Sequence, residues 1–375
     1  MSEAAVLLIM EPVSGRSLWA DARRRLVRNK AAVASMAALA LIALACLFGP
    51  LVTGHPYDRV YQDYVRAPAS LAAYPRAEQI IPAAERIAAR ARGRAEEARI
   101  EGDILRLTLT AQRPIDERNL AFFERSDLFG PPRIRERSEE GRRLLLEVPI
   151  KRQRFLFGTD ANGRDLLTRT LVAGRVSLAI GLLATAVAIA IGVLYGAVSG
   201  YLGGRVDLVM MRLVDILYSL PFIFFVIMLV VFFGRNFVLM FIAVGAVEWL
   251  DMARIVRGQT LSIKRQEYVQ AAEALGVSTG GIIRRHVIPN TLGPVIVFMT
   301  LLVPKVILLE SFLSFLGLGV QEPMTSWGVL ISDGAKSIQG APTMLILPSL
   351  FLVFTLFALN FIGDGLRDAL DPKDR

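Results

Sequence analysis

Six apolar stretches constrain this chain before anything else does. They lie at residues 31–52, 176–201, 209–233, 237–250, 292–315 and 344–366. Spanning a bilayer's hydrocarbon core takes about 20 apolar residues in a helix, because each residue advances about 1.5 Å. The first stretch alone would cover about 33 Å. At that depth backbone polar groups find no water, so stretches of this kind fold as helices. The fourth is short and carries Glu248 near its end. It is expected to run past Trp249 toward Arg254, with its polar end at the membrane interface.

Composition and charge placement agree with a six-span, all-α integral membrane protein. Hydrophobic residues make up 54% of the chain and charged residues 21%, which excludes the disordered class. The net charge of +9 is spread through short segments beside apolar runs, a pattern that orients spans rather than binding nucleic acid. Arg16, Arg23, Arg24, Arg25, Arg28 and Lys30 precede the first span, against Glu3, Glu11 and Asp21. This places residues 1–30 in the cytoplasm. The Gly203-Gly204-Arg205 turn with Arg212, the interval 251–290 and the tail 367–375 are also basic. The loops at 235–236 and 317–341 are short or charge-poor, so six spans put both termini inside. A cleaved leader ending near Ala43-Leu44-Ala45-Cys46 fits poorly, because the apolar run is too long. Leu18, Trp19, Ala22 and Leu26 share a helical face opposite Arg23, Arg24 and Arg28, which predicts an interfacial helix with Trp19 at headgroup depth.

Between the first two spans, residues 53–165 hold 21 Arg/Lys and 18 Asp/Glu, about half of the chain's charge. Topology puts this insertion on the extracytoplasmic side. Ile80, Ile81, Ala84, Ile87, Ala88 and Ala91 recur near a 3.6 period, predicting a helix over 77–100. Residues 104–109 and 144–148 read as strands. The expectation is a small charged α+β element with partial disorder around Pro131-Pro132; a poorly ordered charged loop is the alternative. Asn162-Gly163 marks a turn, and Asp160 or Asp165 is placed to cap the helix leading into the second span.

The interval 251–290 is the long polar break in the apolar half. Residues 268–276 read as a short helix closed by Gly276, followed by a second helix ended by Pro289. Small Ala271 and Ala272 would let a partner approach the backbone, with Tyr268 and Leu275 framing that face. Gly276 permits the positive φ that ends a helix, and Arg284 and Arg285 are placed to meet acidic groups. An ordinary hairpin packed on its own bundle is the other reading.

Four elements then carry a family resemblance: Gly158-Thr159-Asp160 with Gly163-Arg164-Asp165; the 268–290 loop; Ser314-Phe315-Leu316-Gly317-Leu318-Gly319 with Pro323 and Ser326-Trp327-Gly328; and Asn360-Phe361-Ile362-Gly363-Asp364-Gly365-Leu366-Arg367-Asp368-Ala369-Leu370-Asp371-Pro372. Together they resemble the C-type membrane permease subunit of oligopeptide/dipeptide ABC importers, over nearly all of 157–375 and the 18–52 start. The family's loop reads Glu-Ala-Ala, three residues, Gly, nine residues, Ile, one residue, Leu-Pro. Here Gln270 replaces the Glu, His286 stands at the Ile and Ile288 at the Leu. Ala271, Ala272, Gly276 and Pro289 match. The His-Val-Ile-Pro-Asn version resembles the peptide branch. Residues 53–156 exceed what a typical member carries there.

The resemblance implies a type I ABC importer permease fold, with core 166–375 following the span at 31–52 and the insertion. It implies that Tyr268, Gln270, Ala271, Ala272, Leu275, Gly276, Arg284, Arg285 and Pro289 meet an ATP-binding subunit. The sequence has no G-x-x-x-x-G-K-[S/T] loop, so no cofactor is assigned to this chain, and ATP with its Mg would sit on two partner subunits. A second, B-type permease subunit, an extracytoplasmic peptide-binding protein and membrane lipid complete the expected partners. Two His and one Cys form no cluster that points to a metal. Lys305 and Glu310 fall inside the fifth span and are candidates for the translocation path, or for burial at a subunit interface. Asp215 is expected to pair locally with Arg212. Asp160, Arg164, Gly317, Gly319, Pro323 and Trp327 are the candidate docking surface for the binding protein, with Trp327 as an interfacial anchor; plain loop architecture is the alternative. Cargo other than peptide, nickel among them, stays open, as does an ion-coupled secondary transporter. The latter would be expected to show internal repeats, and none is evident.

Overall fold

The computed structural model describes residues 18–234 and 237–370. Residues 1–17, 235–236 and 371–375 lie outside it, as do the side chains of Leu18 and Trp19. The expectations resting on the extreme N-terminus, Arg235-Asn236, Asp371-Pro372 and the depth of Trp19 fall there.

Helix α1 (Leu18–Arg28) leads into α2 (Lys30–Val52), whose start is capped by the Asn29 side chain accepting from the Ala32 amide. Of α2, Ala32 and Cys46 are buried, so nearly the whole helix offers apolar surface outward.

Next comes α3 (Ala77–Arg90), then strands β1 (Arg94–Glu101) and β2 (Ile104–Thr110), a single helical turn α4 (Ala121–Glu124), and strands β3 (Arg133–Ser138) and β4 (Arg143–Pro149). The strands form an antiparallel sheet in the order β1-β2-β4-β3. Alternation puts Leu105, Leu107, Leu109, Leu144, Leu146 and Val148 on one face. They are fully buried in a cluster with Ile80, Ala84, Ile87 and Ala88 of α3. The helix expected over 77–100 therefore stops early. Arg92 adopts φ 61°, Gly93 follows, and residues 94–101 pair with β2 instead. Exposed i,i+4 charge pairs add only about 0.2–0.5 kcal/mol each, too little to hold a helix against a strand partner. Around Pro131-Pro132 the chain is tied rather than loose: the Gly130 amide donates to Pro149 O at 2.7 Å and β3 begins at Arg133.

Helix α5 (Leu166–Leu202) opens with Asp165, which accepts from the Thr168 amide at 2.7 Å, and closes at Gly203. It is followed by α6 (Gly204–Ser219), α7 (Phe222–Phe233), α8 (Phe237–Ile263), α9 (Glu267–Ala274) and α10 (Thr279–Ile282). A π turn at Ile283–Val287 then feeds α11 (Ile288–Phe315), and α12 (Trp327–Lys336) and α13 (Thr343–Leu370) complete the chain.

Helix α5 is the hub, and α8 packs along it more extensively than any other helix. Gly192, Gly196 and Gly200 make this possible. A Cβ on Gly192 would stand 2.6 Å from Met252 Cβ, one on Gly196 2.9 Å from Val256 Cβ, and one on Gly200 2.8 Å from Thr260 Cβ. Small residues at four-residue spacing let two apolar helices touch backbone to backbone, where packing rather than water exclusion drives association.

By length and hydropathy, four of the described helical segments can cross a membrane: Lys30–Val52, Leu166–Leu202, Thr279–Phe315 and Thr343–Leu370. A fifth results if α6 and α7 count as one broken span, bent by 79°. The continuous third span expected at 209–233 is thus interrupted. Pro221 has no amide to donate, and Leu220 before it is forced to an extended ψ of 127°. Helix α8 is 27 residues long but carries Glu248, Asp251, Arg254 and Arg257, so it does not meet the same test.

Candidate functional site

The polar interval folds as a knuckle at one end of the α5–α8 pair. Lys264 follows α8 and ties it to α5, its ammonium donating to Tyr201 O at 2.7 Å. Helix α9 then turns Val269 and Ala272 inward, into a cluster with Val193, Met252, Val256, Ile282 and Val287. Tyr268, Gln270, Ala271 and Leu275 face outward, Leu275 with 84% of its surface exposed. Ala272 therefore seats the knuckle on its own chain, and of the two adjacent alanines Ala271 is the one left at the outer surface.

The helix ends in a complete Schellman cap. The Gly276 amide donates to Glu273 O at 3.0 Å and the Val277 amide to Ala272 O at 3.1 Å. Gly276 has φ 76°, and the space where its Cβ would stand is open. Only the backbone conformation demands glycine here, since a left-handed non-glycine residue costs about 1–2 kcal/mol. Ser278 caps the following turn, accepting from the Gly281 amide. Arg284 and Arg285 project outward with no ion-pair partner among the described residues.

Pro289 does not end a helix, as the sequence had implied. Residues 279–315 run on as a single helical segment. The π turn absorbs the proline: the Ile288 amide reaches back five residues to Ile283 O, so the register shifts just before the ring that would otherwise clash. Pro289 is exposed at the root of the knuckle.

The two charges inside the fifth expected span separate sharply. Lys305 is half exposed, and its ammonium lies 2.8 Å from Glu248 and 3.1 Å from Asp251 of α8. Glu310 is fully buried, accepting from Ser314 Oγ at 2.7 Å and Ser177 Oγ at 3.4 Å. Ser177 Oγ in turn accepts the Trp327 amide at 3.2 Å, and the Trp327 indole donates to Thr170 O at 3.0 Å. Glu310 and Trp327 therefore belong to a polar pin joining α5, α11 and α12. Glu310 does not line an open path in this conformation, and Trp327, with no exposed surface, is no interfacial anchor. Asp215 pairs with Arg254 of α8 at 2.9 Å, not with Arg212 as expected. Packing of α6 against α8 carries the Arg254 guanidinium to Asp215, and among the described residues no ion pair joins Asp215 to Arg212.

The outer loops show a similar split. Asp160 and Arg164 are buried, 2.7 Å apart, and Arg164 also reaches Glu322 at 2.8 Å. Arg169, buried in α5, lies 3.3 Å from the same Asp160. That Arg164 hydrogen bond holds the Glu322 carboxyl below the usual range. Gly319 is also buried, against Ser314. These residues fasten the α11–α12 loop to the start of α5 and are closed to a partner, while Gly317, Glu322 and Pro323 remain on the surface. Glu322, Asp251 and Arg254 were not singled out from sequence. A charge inside an apolar span needs a partner, and Glu248 and Asp251, three residues apart in one, were the available signal.

Residues 178–375 match the family described as binding-protein-dependent transport system inner membrane component, and residues 17–72 the N-terminal TM domain of oligopeptide transport permease C. The oligopeptide transport system permease protein OppC of Escherichia coli K12 is 46% identical over 363 residues, covering 97% of this chain and 94% of that protein. Its counterpart in Haemophilus influenzae is 43% identical, covering 97% and 91%. The dipeptide transport system permease protein DppC of Bacillus subtilis is 50% identical over 220 residues, covering 58% of this chain and 69% of that protein. Coverage of 97% takes in residues 53–156, so that long segment is shared with the E. coli and H. influenzae relatives. The chain belongs to the family of binding-protein-dependent transport system inner membrane components.

Proposed function

We propose that this chain is the C-type permease subunit of an ATP-driven importer that moves oligopeptides or dipeptides inward across the inner membrane. The full-length likeness to oligopeptide permeases supports the cargo. The single observation that carries the coupling is α9, a short helix with one face seated on the bundle and the other presented outward behind a rigid cap. Tyr268, Gln270, Ala271, Leu275, Arg284 and Arg285 form the surface that an ATP-binding subunit grips, with Gly276 and Pro289 setting its geometry. Two such subunits hold ATP and its magnesium, and a second, B-type permease subunit supplies the other docking point. Their closure moves α9, and through Val269 and Ala272 the α5–α8 pair, between inward- and outward-facing arrangements. Helix α8 serves as the further span that brings both termini to the cytoplasmic side. Residues 53–165 and the exposed Gly317, Glu322 and Pro323 then face the extracytoplasmic peptide-binding protein.

In the reconstituted complex, Gly276→Val is expected to abolish solute-stimulated ATPase activity while the chain still inserts in the membrane. Unchanged stimulation and uptake would overturn the coupling role.

A further inference from the structure

Helices α6, α8 and α11 leave an open strip that is charged within the membrane-spanning bundle. Lys305 of α11 meets Glu248 and Asp251 of α8, and Arg254 of α8 meets Asp215 of α6. The Arg254 guanidinium also lies 4.3 Å over the Tyr218 ring. Successive three-residue steps along α8 turn about 60° backwards at 3.6 residues per turn. The charges at 248, 251 and 254 therefore wind from the side facing α11 to the side facing α6. Side-chain exposure follows this winding: 4% at Glu248, 27% at Asp251 and 37% at Arg254, with 51% at Lys305 and 53% at Asp215. Each ionised side chain is expensive against hydrocarbon, so a strip with five of them faces water or protein rather than lipid.

A peptide arrives with both termini ionised and with side chains of either sign. A single unpaired charge beside its route would hold peptides of one sign and repel those of the other, since charges interact strongly where water is scarce. In this strip two cations answer three carboxylates, Lys305 being shared between Glu248 and Asp251, so that every charge has an opposite neighbour within about 3 Å and none stands alone. We propose that this paired strip lines the route of the cargo and that the pairing makes the permease indifferent to the peptide's net charge. Lys305, Asp251, Arg254 and Asp215 are then specificity-determining residues whose role is to avoid selection. The inference rests on the peptide-permease reading above.

The test uses the complete reconstituted transporter with saturating binding protein and two tripeptides, Ala-Glu-Ala and Ala-Lys-Ala. Lys305→Gln leaves two carboxylates without their cation, and the acidic-to-basic uptake ratio should fall at least about tenfold relative to wild type. Asp215→Asn frees Arg254 and should shift the ratio the other way. Lys305→Arg should keep the wild-type ratio. A purely structural role, or contact with the second permease subunit, would lower both peptides equally and leave the ratio unmoved, which overturns the inference. Variants that match wild type with both peptides also overturn it, while the permease reading stands. Should Lys305→Gln fail to assemble, as judged by co-purification, the half-exposed Asp215→Asn decides alone. Failure of the wild-type complex to import either peptide would instead count against the peptide reading itself.

Discussion

Glu147 in the sheet of residues 53–165 and Lys305 in the helical bundle are each held by two opposite charges. Glu147 accepts from Arg106 at 3.0 Å and Arg135 at 2.7 Å, and Lys305 donates to Glu248 and Asp251. The surroundings make the two arrangements unequal. Both arginines on Glu147 are about half exposed, so water and salt screen the attraction and the sheet's apolar face carries its stability. The Arg135 hydrogen bond keeps the Glu147 carboxyl below its usual range, and the Glu147 side chain is itself only 10% exposed beneath the two arginines. In the bundle Lys305 is as exposed as those arginines, at 51%, but its partner Glu248 is 4% exposed and stands on a helix of the apolar bundle, where removing the counter-charge would leave it stranded. The same geometry stands beside water in one region and within an apolar bundle in the other.

That contrast can be broken from both sides. The largest effect is expected in the bundle at Gly196→Val, where new methyl groups would meet Ala253 O and the Arg257 amide across the α5–α8 contact. Overpacking that side chains can relieve costs typically about 1–3 kcal/mol, but here the clash is with backbone that has no room to yield, so the cost exceeds that range. The expected outcome is loss of folded chain from the membrane, measured by detergent extraction and size-exclusion chromatography. In the sheet, Leu107→Ala should destabilise the insertion by about 2–5 kcal/mol, read as faster amide exchange over 94–149 in the intact protein, with the bundle's exchange unchanged. The smallest effect is expected at Glu147→Gln, which should leave exchange in the sheet nearly as it was. Acid acts in the same direction. With its carboxyl held below the usual range, Glu147's contribution is present above that range and fades as pH falls through the lower folded value. A large loss from Glu147→Gln would show that the surface pair matters as much as a bundle pair, and the contrast would fail.

The regions also differ in how far their sequences could be read. Strand β2 was visible because its alternating leucines must point to one side of a pleated sheet, and β4 because a short apolar run of that length suits a strand. Strand β1 was not. Its run Arg94-Ala95-Glu96-Glu97-Ala98-Arg99 suits a helix surface, and only pairing with β2 made it a strand. The end of α9 was legible, since Gly276 at the close of a short apolar-faced helix is a cap signal with one good geometric answer. The continuation through Pro289 was not, because a π turn is chosen by the whole segment rather than by one residue. Pro221 was the available signal for the break between α6 and α7, which the reading of 209–233 as one apolar span did not use.

The amino-acid sequence by itself determined that the chain crosses a membrane, where most of its apolar helices lie, and that a capped polar knuckle interrupts its apolar half. These follow from hydropathy, helix rise and backbone stereochemistry, each of which acts over a few neighbouring residues. Only the tertiary structure decided which charges meet. Lys305 found α8, Asp215 found Arg254, and Asp160 and Arg164 turned inward, because ion pairing depends on distances of a few ångströms between segments far apart in sequence.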